Sequence, residues 1–169
     1  LRMKTLQLNR LLLKTAFSCM ACDGDIDKRE IKLIRKLQLD FNIFGDLDID
    51  RELESLLLAI NKDGLRFLKD YFNELNESEL SQSEELKLIK VAIATIKADE
   101  KVEYSEIKFF KVIRSKLEID NKVILEKHPD FEEYLEEDII TESYLLRLQD
   151  DFFDTHDMPQ FEKIDLHLG

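Results

Sequence analysis

Apolar residues recur along this chain at the three- and four-residue intervals of an amphipathic helix, not at the alternate positions of a strand. Leu6, Leu13, Phe17 and Met20 form one such stripe. The pattern predicts helices over 4–22, 28–41, 49–60, 62–76, 82–98, 104–117, 120–128 and 130–137, with a weaker helical signal over 141–153. Residues that cap helix N-termini stand where several of these begin. Ser81-Gln82-Ser83-Glu84 reads as a capping box, in which serine and glutamate each satisfy a free backbone N–H of the first turn. Asp48, Asn61 and Asp120 also occupy N-cap positions. Beyond Asp157 the periodicity fades, and the alternation of Ile164, Leu166 and Leu168 predicts an extended segment.

Composition narrows this picture. With 169 residues, 44% of them hydrophobic, the chain can build one real core. Four Gly and two Pro are few for a β-sandwich or a glycine-loop nucleotide site. The charge, 25 basic against 37 acidic residues, speaks against a nucleic-acid binder, which needs a basic face to displace counterions. That charge is unevenly placed. From Asp130 to Asp157 there are eleven acidic residues and one basic residue, Arg147, so the body before them is nearly neutral. The expected organisation is therefore a helical domain over 1–129 and an acidic C-terminal extension over 130–169. Tyr144-Leu145-Leu146, Phe152-Phe153 and Phe161 lie among its carboxylates and are costly to leave in water. The extension is thus expected to dock on an apolar groove of the body or on a protein partner with a basic surface.

No stretch reaches the roughly 20 apolar residues of a transmembrane span, so no integral membrane span is expected. Leu11-Leu12-Leu13 ahead of Cys19-Met20-Ala21-Cys22 imitates a lipoprotein leader, but Asn9, Arg10 and Lys14 break the apolar run such a leader needs. The expectation is a cytoplasmic protein.

The chain also repeats itself, without a gap, at an offset of 76 residues. Leu12 matches Leu88, Lys14 matches Lys90, Ala16 matches Ala92 and Asp23 matches Asp99. Glu30, Ile31 and Lys32 match Glu106, Ile107 and Lys108, and Ile26/Val102 and Asp27/Glu103 are conservative pairs. The two copies, about 5–41 and 81–117, each read as helix, short acidic turn, helix. The turns run Cys22-Asp23-Gly24-Asp25-Ile26-Asp27-Lys28-Arg29-Glu30 and Ala98-Asp99-Glu100-Lys101-Val102-Glu103-Tyr104-Ser105-Glu106.

These turns resemble those of the TerB-like (tellurite-resistance) family. That family carries a small residue, Asp-Gly, any residue, Ile or Val, three more and then Glu, between two helices and twice per domain. Residues 22–30 match throughout, and the second copy departs at Glu100, where the family has Gly. The resemblance covers roughly residues 5–128. It implies an all-α fold of about seven helices with pseudo-twofold symmetry, and association with bacterial stress and phage-resistance systems. It also implies a divalent-metal site and no established catalytic activity.

Two readings of the acidic turns stand side by side. In the structural one, Gly24 takes the left-handed position that closes the first helix, and Asp27 and Glu30 cap the second, each cap contributing about 1 kcal/mol. That reading leaves Asp23 least explained. In the other, Asp23 and Asp99 sit at helix C-termini, whose free carbonyls and negative dipole end attract a hard cation. If the turns meet, Asp23, Glu30, Asp99 and Glu106 supply oxygen ligands to Mg²⁺ or Ca²⁺. The position of Glu30 and Glu106 at helix N-termini favours capping. An EF-hand is excluded, because the loop opened by Asp23, Asp25 and Asp27 has Lys28 at its glycine position and Ile34 at its bidentate glutamate position.

Cys19-x-x-Cys22 is half of a zinc motif, with the three histidines far off in sequence at 128, 156 and 167. Its repeat partners are Thr95 and Ala98, so small core residues are expected here. His128-Pro129-Asp130 spells the J-domain tripeptide without the flanking basic helix, and Pro129 reads as a helix boundary. Together these readings give a non-enzymatic TerB-like module that binds a divalent cation, a protein partner or both. The alternative is a divalent-metal-dependent hydrolase with its cation between the two turns.

Overall fold

A computed structural model describes residues 2–22, 28–98 and 104–135, and among them every regular element is helical. The helices are α1 (Arg2–Ala21), α2 (Lys28–Phe41), α3 (Ile49–Lys62), α4 (Gly64–Glu77), α5 (Gln82–Ile96), α6 (Tyr104–Ser115) and α7 (Asn121–Lys127). A 3-10 turn, Pro129–Phe131, then runs into the single turn α8 (Glu132–Leu135). The architecture is a helical bundle, and none of its described helices is long and apolar enough to cross a membrane.

Its centre is the pair α1 and α5, which pack along one another. From Leu11 to Ala21 every residue of α1 except Lys14 is buried, as are Leu88, Ile89, Val91, Ala92, Ile93, Thr95 and Ile96 of α5. A helix that is apolar on all sides must be covered on all sides. The other helices do this: α2 leans on α5, α6 leans on α1, and α3 and α4 pair with each other over α1. Burial of α1 sets in at Leu11, so Leu6, first of the predicted stripe, lies on the exposed start of the helix. Two polar groups are carried into this core already satisfied. The Thr15 hydroxyl donates to the Leu11 carbonyl at 2.8 Å and so accepts from the Tyr71 hydroxyl at 2.7 Å.

Local capping explains most helix starts. At α5 the Glu84 N–H donates to the Ser81 hydroxyl at 3.2 Å, and the Ser81 N–H donates to the Glu84 carboxylate at 2.9 Å, the reciprocal box expected there. Asp48 and Asp120 cap α3 and α7 as their positions predict. Asn61 does not cap α4. It lies inside α3, and Asp63 closes α3 through its N–H to Ala59 while its carboxylate accepts from the Arg66 N–H at 3.1 Å. One extended residue, at φ −159°, thus ends one helix and begins the next.

The start of the acidic extension belongs to the body. Phe131 is fully buried against the Phe110 ring, edge to face at 5.0 Å, and Leu135 is buried beside it on α8, which packs on α6. Burying a phenylalanine contributes roughly 1.5–3 kcal/mol, which secures the 3-10 turn. The weaker helix expected over 141–153 and the extended segment near the C-terminus lie outside the described residues.

Candidate functional site

Glu30 and Glu106 each stand third in their helices, α2 and α6, the position from which a glutamate reaches back to the first turn. Glu84 holds the same position in α5 and remains partly exposed while capping Ser81. Glu30 and Glu106 are buried, at 8% and 7% exposure. Capping does not require that difference. Both carboxylates also act on one group, the thiol of Cys19 on α1. Burial pushes this thiol up, and the negative charges of Glu106 and then Glu30 push it further. Residues 76 positions apart in the sequence thus bear electrostatically on one buried thiol.

Cys19 is a protonated, enclosed thiol, and its chemistry follows from that. The thiolate is the nucleophile and the metal-binding form, and both burial and two nearby carboxylates oppose it. Cys22 is equally buried, and its Sγ–H donates to the Cys19 carbonyl at 3.1 Å. Both cysteines are free and occupy the core, as their repeat partners Thr95 and Ala98 suggested. The polar seam continues to Tyr71, whose phenol is pushed well up by burial, by Cys19 and by Glu74, against the opposing hydrogen bond to Thr15.

The acidic turns themselves, with Asp23 and Asp99 and with the proposed caps Gly24 and Asp27, lie outside the described residues. Among the described residues no three His, Cys, Asp or Glu side chains converge closely enough to hold a metal ion. Glu30, Glu106 and Cys19 thus do not by themselves form such a group.

His128-Pro129-Asp130 is a helix boundary. The His128 N–H closes α7 on the Ile124 carbonyl at 2.8 Å, Pro129 opens the 3-10 turn, and Asp130 pairs with Lys97. Burial and the positive Lys97 and Lys90 hold His128 below the ordinary imidazole range.

A second polar device escaped the reading of the chain. Glu85 is buried, and its two oxygens accept the Glu118 and Ile119 N–H groups at 3.0 and 2.8 Å. Arg114 donates from the other side to the Leu117 and Ile119 carbonyls and to Asn121. Their partners at the 76-residue offset, Asn9 and Gln38, stand beside the loop after α2, where Gln38 bonds Gly45 and Phe44 and Asn9 faces Gly45. Extending the repeat to its polar positions is the signal that would have found all four.

Comparison with protein-family models, with curated proteins and with solved structures finds no match to the chain.

Proposed function

We propose that the chain is a TerB-like helical module that binds a divalent cation, Mg²⁺ or Ca²⁺, between its two acidic turns. In this reading it serves a bacterial stress or phage-defence pathway by presenting the cation-bound body to a protein partner. The observation that carries the proposal is the burial of both Glu30 and Glu106, whose charges each bear on Cys19. A buried carboxylate is costly unless it is partnered, and a divalent cation would be one such partner for both. Helix α1 packs against both α5 and α6, the helices that flank the second turn. Asp23 and Asp99, with free carbonyls at the ends of α1 and α5, would supply the remaining oxygen ligands.

Calorimetric titration with Mg²⁺ and with Ca²⁺ tests this. The natural chain is expected to bind one of them and to melt at higher temperature when loaded, because a ligand that binds only the folded state stabilises it. Asp23→Ala with Asp99→Ala should abolish binding. Asp27→Ala should leave binding intact and lower stability by about 0.5–2 kcal/mol, as for a lost cap. Undiminished binding in the double variant, or none in the natural chain, removes the proposal.

A further inference from the structure

Helix α2 is basic within an acidic chain. It holds five Lys and Arg against two acidic residues, whereas the chain as a whole has 25 basic and 37 acidic residues. One of those two, Glu30, is buried with Ile31, Ile34 and Leu37 on the side that meets the body. The helical period then places Lys28, Lys32, Lys36 and Leu39 together on the opposite side, and all four are exposed. Asp40, the exposed carboxylate of this helix, lies at the edge of that face.

The body leaves these ammonium groups unengaged. Other cations find carboxylates: Lys14 pairs with Glu74, Arg35 with Asp50 and Lys97 with Asp130. Among the described residues, Lys28, Lys32 and Lys36 pair with no carboxylate. Four residues span about 6 Å of helix, less than the screening length of about 8 Å at physiological salt, so the three charges repel one another and act as one field. The row ends in apolar side chains. Leu39 is 86% exposed, the most open of the large hydrophobic residues described, and Phe41 beyond it is 58% exposed. Lys90 of α5 adds a further ammonium, 3.5 Å over the Phe41 ring.

We propose that this face of α2 docks an acidic amphipathic segment of a protein partner. Carboxylates three or four residues apart on the partner helix pair with Lys28, Lys32 and Lys36, and an apolar side chain at the end of their row packs on Leu39 and Phe41. Charge complementarity selects a polypeptide from among the polyanions. A membrane or a duplex spreads its charge far beyond a helix about 20 Å long and meets the whole net charge of −12. A segment of three or four turns meets the local positive field alone. A duplex backbone also offers nothing to cover Leu39. The face needs no cation, and it specifies where a partner binds rather than what the acidic turns hold.

Fluorescence anisotropy with a labelled synthetic helix of about twelve residues tests the face, with glutamate at every fourth position and two leucines closing that stripe. Titration in the presence of a chelator keeps the result separate from the proposed cation site. The chain is expected to bind this peptide, and more weakly as salt rises. Lys32→Glu with Lys36→Glu should weaken binding about tenfold or more, since attraction becomes repulsion at two points. Leu39→Ser should weaken it roughly threefold to tenfold and leave the salt dependence unchanged. Lys122→Glu with Lys127→Glu, the same change of net charge placed on α7, should have no effect. Every substituted side chain is exposed, so the fold is retained in each variant. Absence of binding, equal binding of a peptide with the same residues in scrambled order, or equal weakening by the α7 pair would each overturn the proposal. Preference for phosphatidylserine vesicles or a DNA duplex over the peptide would overturn it as well.

Discussion

The loop after α2 and the loop after α6 are held in place by different chemistry. In the first, Gln38 does two jobs at once: its amide oxygen accepts the Phe44 N–H at 2.9 Å and its amide nitrogen donates to the Gly45 carbonyl at 2.6 Å. In the second, the acceptor and the donor are separate residues, Glu85 for the Glu118 and Ile119 N–H groups and Arg114 for the Leu117 and Ile119 carbonyls. An amide both donates and accepts, whereas a carboxylate only accepts and a guanidinium only donates. Splitting the work therefore brings in two charges that rely on each other. Burial holds the Arg114 guanidinium below its ordinary range, and Glu85 and Asp120 oppose that loss. The neutral clamp is self-sufficient; the charged one is stronger and less tolerant of losing half of itself.

The largest expected effect follows from that dependence. Glu85→Ala strips two backbone N–H groups of their acceptor and removes a counter-charge from Arg114, and should cost about 3 kcal/mol. Gln38→Ala should cost about 1–1.5 kcal/mol, the ordinary value for neutral hydrogen bonds. Urea titration of both variants decides. Equal losses would show that the two clamps are equivalent and that the charges add nothing.

Gly45 sharpens the same comparison at smaller scale. It sits at φ +59°, where an L side chain is strained, and a Cβ there would run into the Asn9 amide. Gly45→Ala should therefore cost about 1–2 kcal/mol, from the left-handed backbone and the displaced amide together. Adding Asn9→Ala should recover the contact part and leave the backbone part. A double variant no more stable than Gly45→Ala would place the whole cost in the backbone.

The smallest effect is on pH. His128, at the end of the half held by Glu85 and Arg114, has its pKa lowered by burial first and then by Lys97 and Lys90. A lowered value means that the folded state resists protonation more than the unfolded one. The associated stability is fully present above the ordinary histidine range near 6.5 and is lost as pH falls through the folded value. An NMR titration of the His128 ring should give a midpoint below that of an unfolded peptide. Lys97→Gln should raise the midpoint only in part, because burial is the leading cause.

How much of this was legible beforehand depended on the range of the interaction concerned. The Ser81–Glu84 box is set by residues within a turn of each other, and capping rules reach that far. Asn61 misled because the residue two positions on, Asp63, can cap a helix as well. Both are acceptable N-caps, and the helix took the one preceding Gly64. The Cys19-x-x-Cys22 pair could be assigned to the core because its counterparts at the 76-residue offset are Thr95 and Ala98.

Helix identity and most helix limits were thus written into the chain, since hydrogen bonds within a turn and the 3.6-residue period are local. Burial is not local. Glu30, Glu84 and Glu106 hold the same position in their helices, and the capping rule alone does not tell the buried pair from the partly exposed one. Only the packing of α6 on α1 and of α2 on α5 buried Glu30 and Glu106 while leaving Glu84 partly exposed. The desolvation that distinguishes these glutamates comes from helices distant in sequence, so the tertiary structure alone could assign it.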